Sequence, residues 1–396
     1  MRRPRFLATV FLFLVIPIAA ALVWWLTRPP VAGPLKLTSV SFADLPDWSR
    51  SDPRPALAAF RRSCDALMAK PPVTPLGAYG GTVADWLAPC KDAQAVNGKD
   101  AQRVRRFFET DFSPRQIGAG AVKDGLFTGY YEPELHGSRT KHGRYQTPVY
   151  GLPTDLVSID LSQFPSALST QRIAGRLDGA KLVPYATRAE IDANGLAPAS
   201  VLFYGDDPVA VFFLHIQGSG RVTLDDGKVE RVAYAGQNGW PYTAIGKTLI
   251  AQGAMARENM SMQAIRDWLR AHPRKARAIM ESDTSFVFFR ELPVGDPALG
   301  APGAEGPPLT PGASIAVDMK IHPLGAPFYV VTRTPDAAGN LHRLFVAQDT
   351  GGAIRGPVRA DIFFGFGPDA ELNAGGMKQT GQLYVLLPNP RNHPPR

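Results

Sequence analysis

The chain has 396 residues, 45% hydrophobic and 20% charged: enough apolar material for two or three packed domains and too little charge for a disordered chain. Glycine (38) and proline (37) are too frequent for a helical bundle, and two cysteines exclude a disulfide-dense scaffold and a four-cysteine metal site. The net charge of +8 falls to +4 once Arg2, Arg3, Arg5 and Arg28 are set aside, and no lysine–arginine stripe interleaves with aromatics, which argues against nucleic-acid binding.

Residues 6–26 (FLATVFLFLVIPIAAALVWWL) carry no charge and follow the basic start MRRPR. About 20 apolar residues suffice to cross a bilayer as a helix. The segment reads as a cleaved secretory signal, with Ala19 and Ala21 as a small-x-small cleavage pattern, or as a retained anchor. Its length and the interfacial Trp24, Trp25 and Arg28 favour the anchor. The basic front places the rest of the chain outside the cytoplasm. In an oxidising compartment Cys64 and Cys90 are a natural pair, and closing a loop of that size contributes about 3 kcal/mol.

Proline-rich residues 31–53 read as a tether. Helical spacing of apolar residues follows at 55–69, 82–89 and 99–109. Near residue 125 the period changes to short β-branched and aromatic runs broken by Gly, Pro and Asp-Gly: GLFTGYYEP, YQTPVYGLP, ASVLFY, VAVFFLHIQGSG, RVTLDDG and ERVAYAG. Helices are expected again at 242–252, at 261–271 with Ser261 as N-cap, and at 273–282, followed by a strand at 285–292. Residues 295–308 read as a loop. Five strand candidates then crowd into about 75 residues, which suggests a small closed barrel. The last residues, PNPRNHPPR, read as a disordered tail.

No nucleophile elbow, phosphate loop, dinucleotide fingerprint or HExxH is present, and the seven histidines are scattered, so neither a metal nor a cofactor is expected. The C-terminal acids are more informative. Asp318, Asp349 and Asp361 interrupt or start apolar runs (SIAVD, LFVAQD, DIFFGFG), and burying a carboxylate costs several kcal/mol unless it is paired or hydrogen-bonded. Asp349, beside Gly351 and Gly352, fits an ordinary turn. Asp361, followed by Ile362, Phe363 and Phe364, is the better candidate for a desolvated carboxylic acid able to protonate a glycosidic oxygen. Tyr130, Tyr131, Tyr145, Tyr234, Trp240 and Tyr242, with Gln217, Gln237 and Asn238, supply the rings and amides that grip sugars, or are partly core; spacing alone does not choose.

Taken together, FTGYYEP (127–133), YQTPVYGLP (145–153), FFLHIQGSGRV (212–222), YAGQNGWPYTAIGKTLI (234–250), MSMQAIRDWL (260–269) and SFVFFRE (285–291) resemble the membrane-bound lytic murein transglycosylase A family. IAVDMKIHPLGAPFYV (315–330), VAQDTGGAIRGPVRADIFFGFG (346–367) and GQLYVLLP (381–388) resemble that family's three-aspartate module. The resemblance implies a mainly β fold. A double-psi β-barrel domain at 31–131 and 293–388 would face an inserted β-rich domain at 132–292 across a glycan groove, with residues 1–30 as signal or anchor and 389–396 as tail. It also implies an exo-acting lytic transglycosylase that cuts the β-1,4 bond between N-acetylmuramic acid and N-acetylglucosamine in peptidoglycan and leaves a 1,6-anhydromuramoyl end without water.

By motif, Asp361 is then the general acid and afterwards the base, and Asp349 tunes or orients it. Thr128 and Tyr130 position the sugar, with Gln217, Tyr234 and Asn238 as further groove candidates. The expected location is periplasmic and membrane-associated. Many members carry a lipidated cysteine after the signal; no cysteine precedes Cys64 here, so attachment would come from the hydrophobic segment. Two rivals remain at this stage: an inverting hydrolase using Asp349 and Asp361 around a water, and a non-catalytic wall-binding module.

Overall fold

The structure, a computed structural model, describes residues 33–161, 172–196, 200–293 and 295–390. The hydrophobic segment at 6–26 lies outside them; among the described residues no helix is long and apolar enough to cross a membrane. The chain opens with β1 (Leu35–Ser39), three helices α1 (Arg54–Met68), α2 (Val83–Ala95) and α3 (Ala101–Asp111), then β2 (Phe112–Ala119) and β3 (Asp124–Glu132). The middle holds β4 (Glu134–Ser138), β5 (Thr147–Tyr150), β6 (Val157–Asp160), β7 (Arg172–Asp178), β8 (Lys181–Pro184), α4 (Arg188–Asn194), β9 (Val201–Gly205), α5 (Pro208–Gln217), β10 (Ser219–Leu224) and β11 (Val229–Gln237). It continues through α6 (Ile245–Ala251), α7 (Met262–Ala271), α8 (Pro273–Glu281) and β12 (Val287–Leu292). The last part is β13 (Ser314–Ala316), β14 (Pro327–Arg333), β15 (Asn340–Asp349), β16 (Arg359–Phe366), α9 (Pro368–Gly376) and β17 (Lys378–Pro388).

Six strands close into a ring in the order β3, β17, β14, β15, β13, β16 and back to β3. Two of these pairings, β13 with β15 and β16 with β3, are parallel. β17 is long enough to serve two neighbours on one edge: its first half pairs with β3 and its second half with β2, which extends the sheet to β1. Closure gives each ring strand a neighbour on both sides. The ring is filled by Phe127, Ile315, Phe328, Val330, Phe345, Ala360, Ile362 and Leu383. Helices α1, α2 and α3 cover it through Phe60, Trp86, Phe107 and Phe108, which stack around Phe112. Cys64 of α1 and Cys90 of α2 form a disulfide with Cα atoms 5.3 Å apart.

The middle segment builds a second body. Six strands run in the order β12-β11-β10-β4-β9-β5, backed by α5, and the short sheet β6-β7-β8 lies apart from them. The chain is therefore mainly β, with two β-rich bodies, as its composition predicts. Where the chain leaves the ring, Glu132 is fully buried between Arg221 (3.3 Å) and Arg231 (2.9 Å). The same two arginines donate to Pro297 O and Leu299 O on the returning segment. One buried carboxylate thus ties the outgoing and incoming strands together. A second tie joins Arg266 of α7 to the Tyr131 hydroxyl (2.8 Å) and to Glu371 of α9.

Three expectations change. Residues 31–53 are not a free tether from residue 35 on: β1 pairs with β2, and Trp48 is buried against Tyr329, its indole N–H donating to Glu109. A large aromatic outweighs local proline content once a core is available to receive it. VAVFFLHIQ is the helix α5 rather than a strand, because Asp207 caps it, Pro208 starts it, and an all-apolar helix can be buried between a sheet and other helices. Helices α4 and α9 had no counterpart in the pattern. In the tail, Asn389 is held by Asp111 O and Ser113, while residues 391–396 lie outside the described residues. Replacing both Cys64 and Cys90 by alanine is expected to lower unfolding stability by about 3 kcal/mol in urea titration, since the 26-residue loop is then open in the denatured chain.

Candidate active site

Strand alternation decides which side chains reach the site. On β3, Phe127 points into the ring core, so Leu126, Thr128 and Tyr130 point outward; on β16, Ala360 and Ile362 point in, so Arg359, Asp361 and Phe363 point out. The parallel register sets Asp361 opposite Thr128 and Phe363 opposite Tyr130. The third strand of the site is β13, where Ala316 pairs with Asp361 on one side and with Asp349 on the other. Asp349 reaches that position through a bulge: the register jumps from Ile315–Ala347 to Ala316–Asp349, and the skipped Gln348 turns into the core. There its amide bonds to Ala59 O, Ser63 and Ser314. Two aspartates that belong to different neighbours of one strand therefore face the same way.

Their surroundings differ. Asp361 Oδ1 accepts from the Thr128 hydroxyl at 2.6 Å, and all hydrogen bonds to this side chain from the described residues fall on that oxygen. Thr128 Oγ1 in turn accepts from Arg359 at 2.8 Å. Asp349 is engaged on both oxygens. Oδ1 accepts from the backbone N–H groups of Ala304 (3.0 Å) and Thr350 (2.9 Å), and Oδ2 from the Tyr130 hydroxyl (2.9 Å). Burial pushes the Asp361 carboxyl up; Thr128 and Arg359 oppose this, and Asp349 adds to it. Burial also raises Asp349, against the pull of its three donors. With more hydrogen bonds favouring the anion on Asp349, Asp361 is the member of the pair better placed to hold a proton. Burial drives the Tyr130 hydroxyl well above its ordinary range, so it stays a donor.

The loop before β13 covers one side of the pair. It passes so close to the Phe363 ring that a Cβ on Gly300 would lie 2.5 Å from it, which only glycine avoids. Glu305 anchors this loop from below: its carboxyl accepts from Ser63 at 2.6 Å, and burial pushes it up to about 7. Asp318 serves a turn, accepting from the N–H groups of Lys320 and Gly356.

The structure brings Asp361, Asp349, Thr128 and Tyr130 together. Tyr130 meets Asp349 rather than standing free. Gln217, at the end of α5, accepts from Tyr131 N–H at 3.1 Å, one residue from the site. Tyr234 lies half exposed on β11. Asn238 is buried, and both of its amide hydrogens are engaged by Ala186 O and Thr284 O, so it holds two loops together and offers none to a sugar. Arg359 and the Ala304 N–H have no counterpart among the residues singled out from the sequence. The signal for Arg359 was available: residues two apart on a strand share a face.

Residues 126–290 match the MltA specific insert domain, and residues 313–387 match the 3D domain. The membrane-bound lytic murein transglycosylase A of Escherichia coli K12 is 34% identical over 302 residues, 74% of this chain and 73% of that protein. The chain belongs to the membrane-bound lytic murein transglycosylase A family. The crystal structure of a membrane-bound lytic murein transglycosylase from Agrobacterium tumefaciens superposes with a TM-score of 0.79 at 33% identity, covering 89% of this chain and 98% of that one. That of Escherichia coli MltA with bound chitohexaose gives 0.63 at 28% identity, covering 92% and 93%. As a family member the chain is a peptidoglycan-cleaving enzyme of the lyase type.

The raised Asp361 carboxyl has a consequence for stability. An acid whose folded pKa lies above its unfolded value contributes stability that is fully present below about pH 4 and is lost as pH rises through the folded value. Asparagine cannot ionise. Asp361→Asn is therefore expected to melt at a higher temperature than the native chain at neutral pH, the difference closing on acidification below about pH 4; thermal melts across that range would show it.

Proposed function

We propose that Asp361 is the single acid–base group with which this chain cuts the β-1,4 bond between N-acetylmuramic acid and N-acetylglucosamine. The observation that carries this reading is the asymmetry of the two carboxyls. Asp349 has both oxygens engaged by three donors, whereas Asp361 keeps Oδ2 unengaged among the described residues. With three of its roughly four acceptor sites already taken, Asp349 has less capacity to activate a water than an unengaged carboxylate, which disfavours an inverting pair. Protonated Asp361 donates to the glycosidic oxygen as the bond to C1 breaks. The resulting carboxylate accepts the proton of the C6 hydroxyl as O6 bonds to C1, so the acid is regenerated and no water enters. The nucleophile belongs to the substrate, and holding it close converts the second step into an intramolecular one with a large effective molarity.

Asp349 adds negative charge that favours the protonated form of Asp361, and Tyr130 and the Ala304 N–H hold Asp349 in place. The barrel body at 31–131 and 293–388 supplies these groups, and the inserted body at 132–292 supplies the opposing wall, with Gln217 and Tyr234 toward the glycan. The substrate reading gains support from the chitohexaose bound to the Escherichia coli relative. The relatives' membrane-bound character, with the uncharged 6–26 segment, supports attachment at the periplasmic side of a membrane.

The test is mass spectrometry of products from purified peptidoglycan treated with the detergent-solubilised full chain. Muropeptides lighter by one water than their hydrolysed counterparts are expected. Reducing ends would instead make the enzyme a hydrolase. Asp361→Asn is expected to lose activity by a factor of about 100 or more while still binding glycan in a pull-down.

A further inference from the structure

Resting on the acid–base reading of Asp361, we propose that Arg359 is a positioning residue that, through Thr128, fixes the acid proton on Asp361 Oδ2.

Arginine carries only donors. Its Nη2 lies 2.8 Å from Thr128 Oγ1, so at this contact the hydroxyl oxygen must accept. The other guanidinium nitrogen, Nη1, donates to Ala360 O (2.6 Å) and Leu126 O (3.3 Å), which pins the group across the two strands. Thr128 has one hydrogen, and its acceptor is Asp361 Oδ1 at 2.6 Å. The direction of the chain is thereby forced: Arg359 donates to Thr128, and Thr128 donates to Oδ1. A proton on Oδ1 would face the incoming hydroxyl hydrogen, so the protonated carboxyl carries its hydrogen on Oδ2. That is the oxygen without a protein partner among the described residues, and hence the one that meets the glycosidic oxygen. After transfer both oxygens are carboxylate oxygens, Oδ2 takes the proton from the sugar's 6-hydroxyl, and the relay from Arg359 has not changed direction.

The guanidinium has a second effect. Its positive charge opposes the burial that pushes the Asp361 carboxyl up. The groups that face Asp361 are few. Arg359 lies on its own strand, Thr128 and Tyr130 on β3, and Asp349 at the end of β15; Ala316 on β13 is uncharged, and Lys378 on β17 pairs with Thr128 from the far side. Arg359 is the cation among them that acts on this carboxyl. It keeps a proton that must leave and return from being held too tightly, since acid and base roles fall on one group whose pKa works best near the operating pH.

The experiment is a pH–rate profile on uncross-linked peptidoglycan strands with the full chain and four variants. Arg359→Gln is expected to lower kcat about tenfold or more with KM changed less than twofold, and to move the high-pH limb upward, because the protonated acid survives to higher pH without the nearby cation. Arg359→Lys keeps the charge but not the fork, so the limb stays near its native position while kcat remains reduced. Thr128→Val is expected to reproduce the loss in kcat, and the Arg359→Gln/Thr128→Val double variant to lose no more than either alone, as members of one relay should. A native profile for Arg359→Gln, or additive losses in the double variant, would overturn the proposal. If Arg359→Gln does not fold, Arg359→Lys and Thr128→Val carry the same comparison. Asp361→Asn run alongside separates the two levels: activity there defeats the acid–base reading, whereas an inactive Asp361→Asn with a native Arg359→Gln defeats only the relay.

Discussion

The parallel pairing of β16 with β3 is the constraint on which the rest depends. It joins residues more than 200 positions apart, closes the six-stranded ring, and sets Asp361 directly opposite Thr128. Because side chains alternate, that one register decides which side chains share the outer face: a one-residue slip of β16 along β3 would turn Asp361 into the apolar core and Ile362 out of it, while Thr128 stayed outside. The packed interior, built from Phe127, Ala360, Ile362 and Ile315, is what makes such a slip costly. The geometry of this outer face is held by the hydrophobic effect acting on the opposite face of the same strands.

The site's asymmetry comes from two departures from regular sheet. The bulge at Gln348 turns an amide into the core and an acid out of it, and the glycine-containing loop at 300–306 brings a backbone N–H onto Asp349. Without the first, the two acids would not share a face; without the second, they would be more alike. Two neighbouring carboxyls in similar surroundings would compete for one proton, and unequal donor counts make the two inequivalent. Buried Glu305 and Gln348 beneath the loop connect this arrangement to α1 through Ser63, so the disulfide-linked helical cover also supports the site from behind.

The second body is tied on by charge. Glu132, Arg221 and Arg231 bind both crossings of the chain at one buried point, and such a cluster gains from its geometry only if every partner is present. The ends of the two crossings therefore stay together, while the contacts of α7 with α9 through Arg266 lie off that point.

By itself the sequence determined the class of the fold, the disulfide partners available, the apolar runs that became the ring, and the strings that place the chain in its family, because these depend on composition, period and local order. It favoured Asp361 over Asp349 as the desolvated carboxyl because three apolar residues follow it, whereas burial raises both acids and the difference between them lies in their donors. It misread VAVFFLHIQ, whose continuous apolar character suits a buried helix as well as a strand, and it took Trp48 for part of a tether because a core contact 281 positions away at Tyr329 leaves no local trace. Asn238 looked like a sugar ligand for the same reason: an amide's partners are fixed by where the loops meet. Only the tertiary structure decided that Arg359 lies beside Thr128, that Tyr130 meets Asp349, and that among the described residues one carboxyl takes three donors and the other a single one. Register across a closed ring is a non-local quantity, and hydrogen-bond direction follows from register.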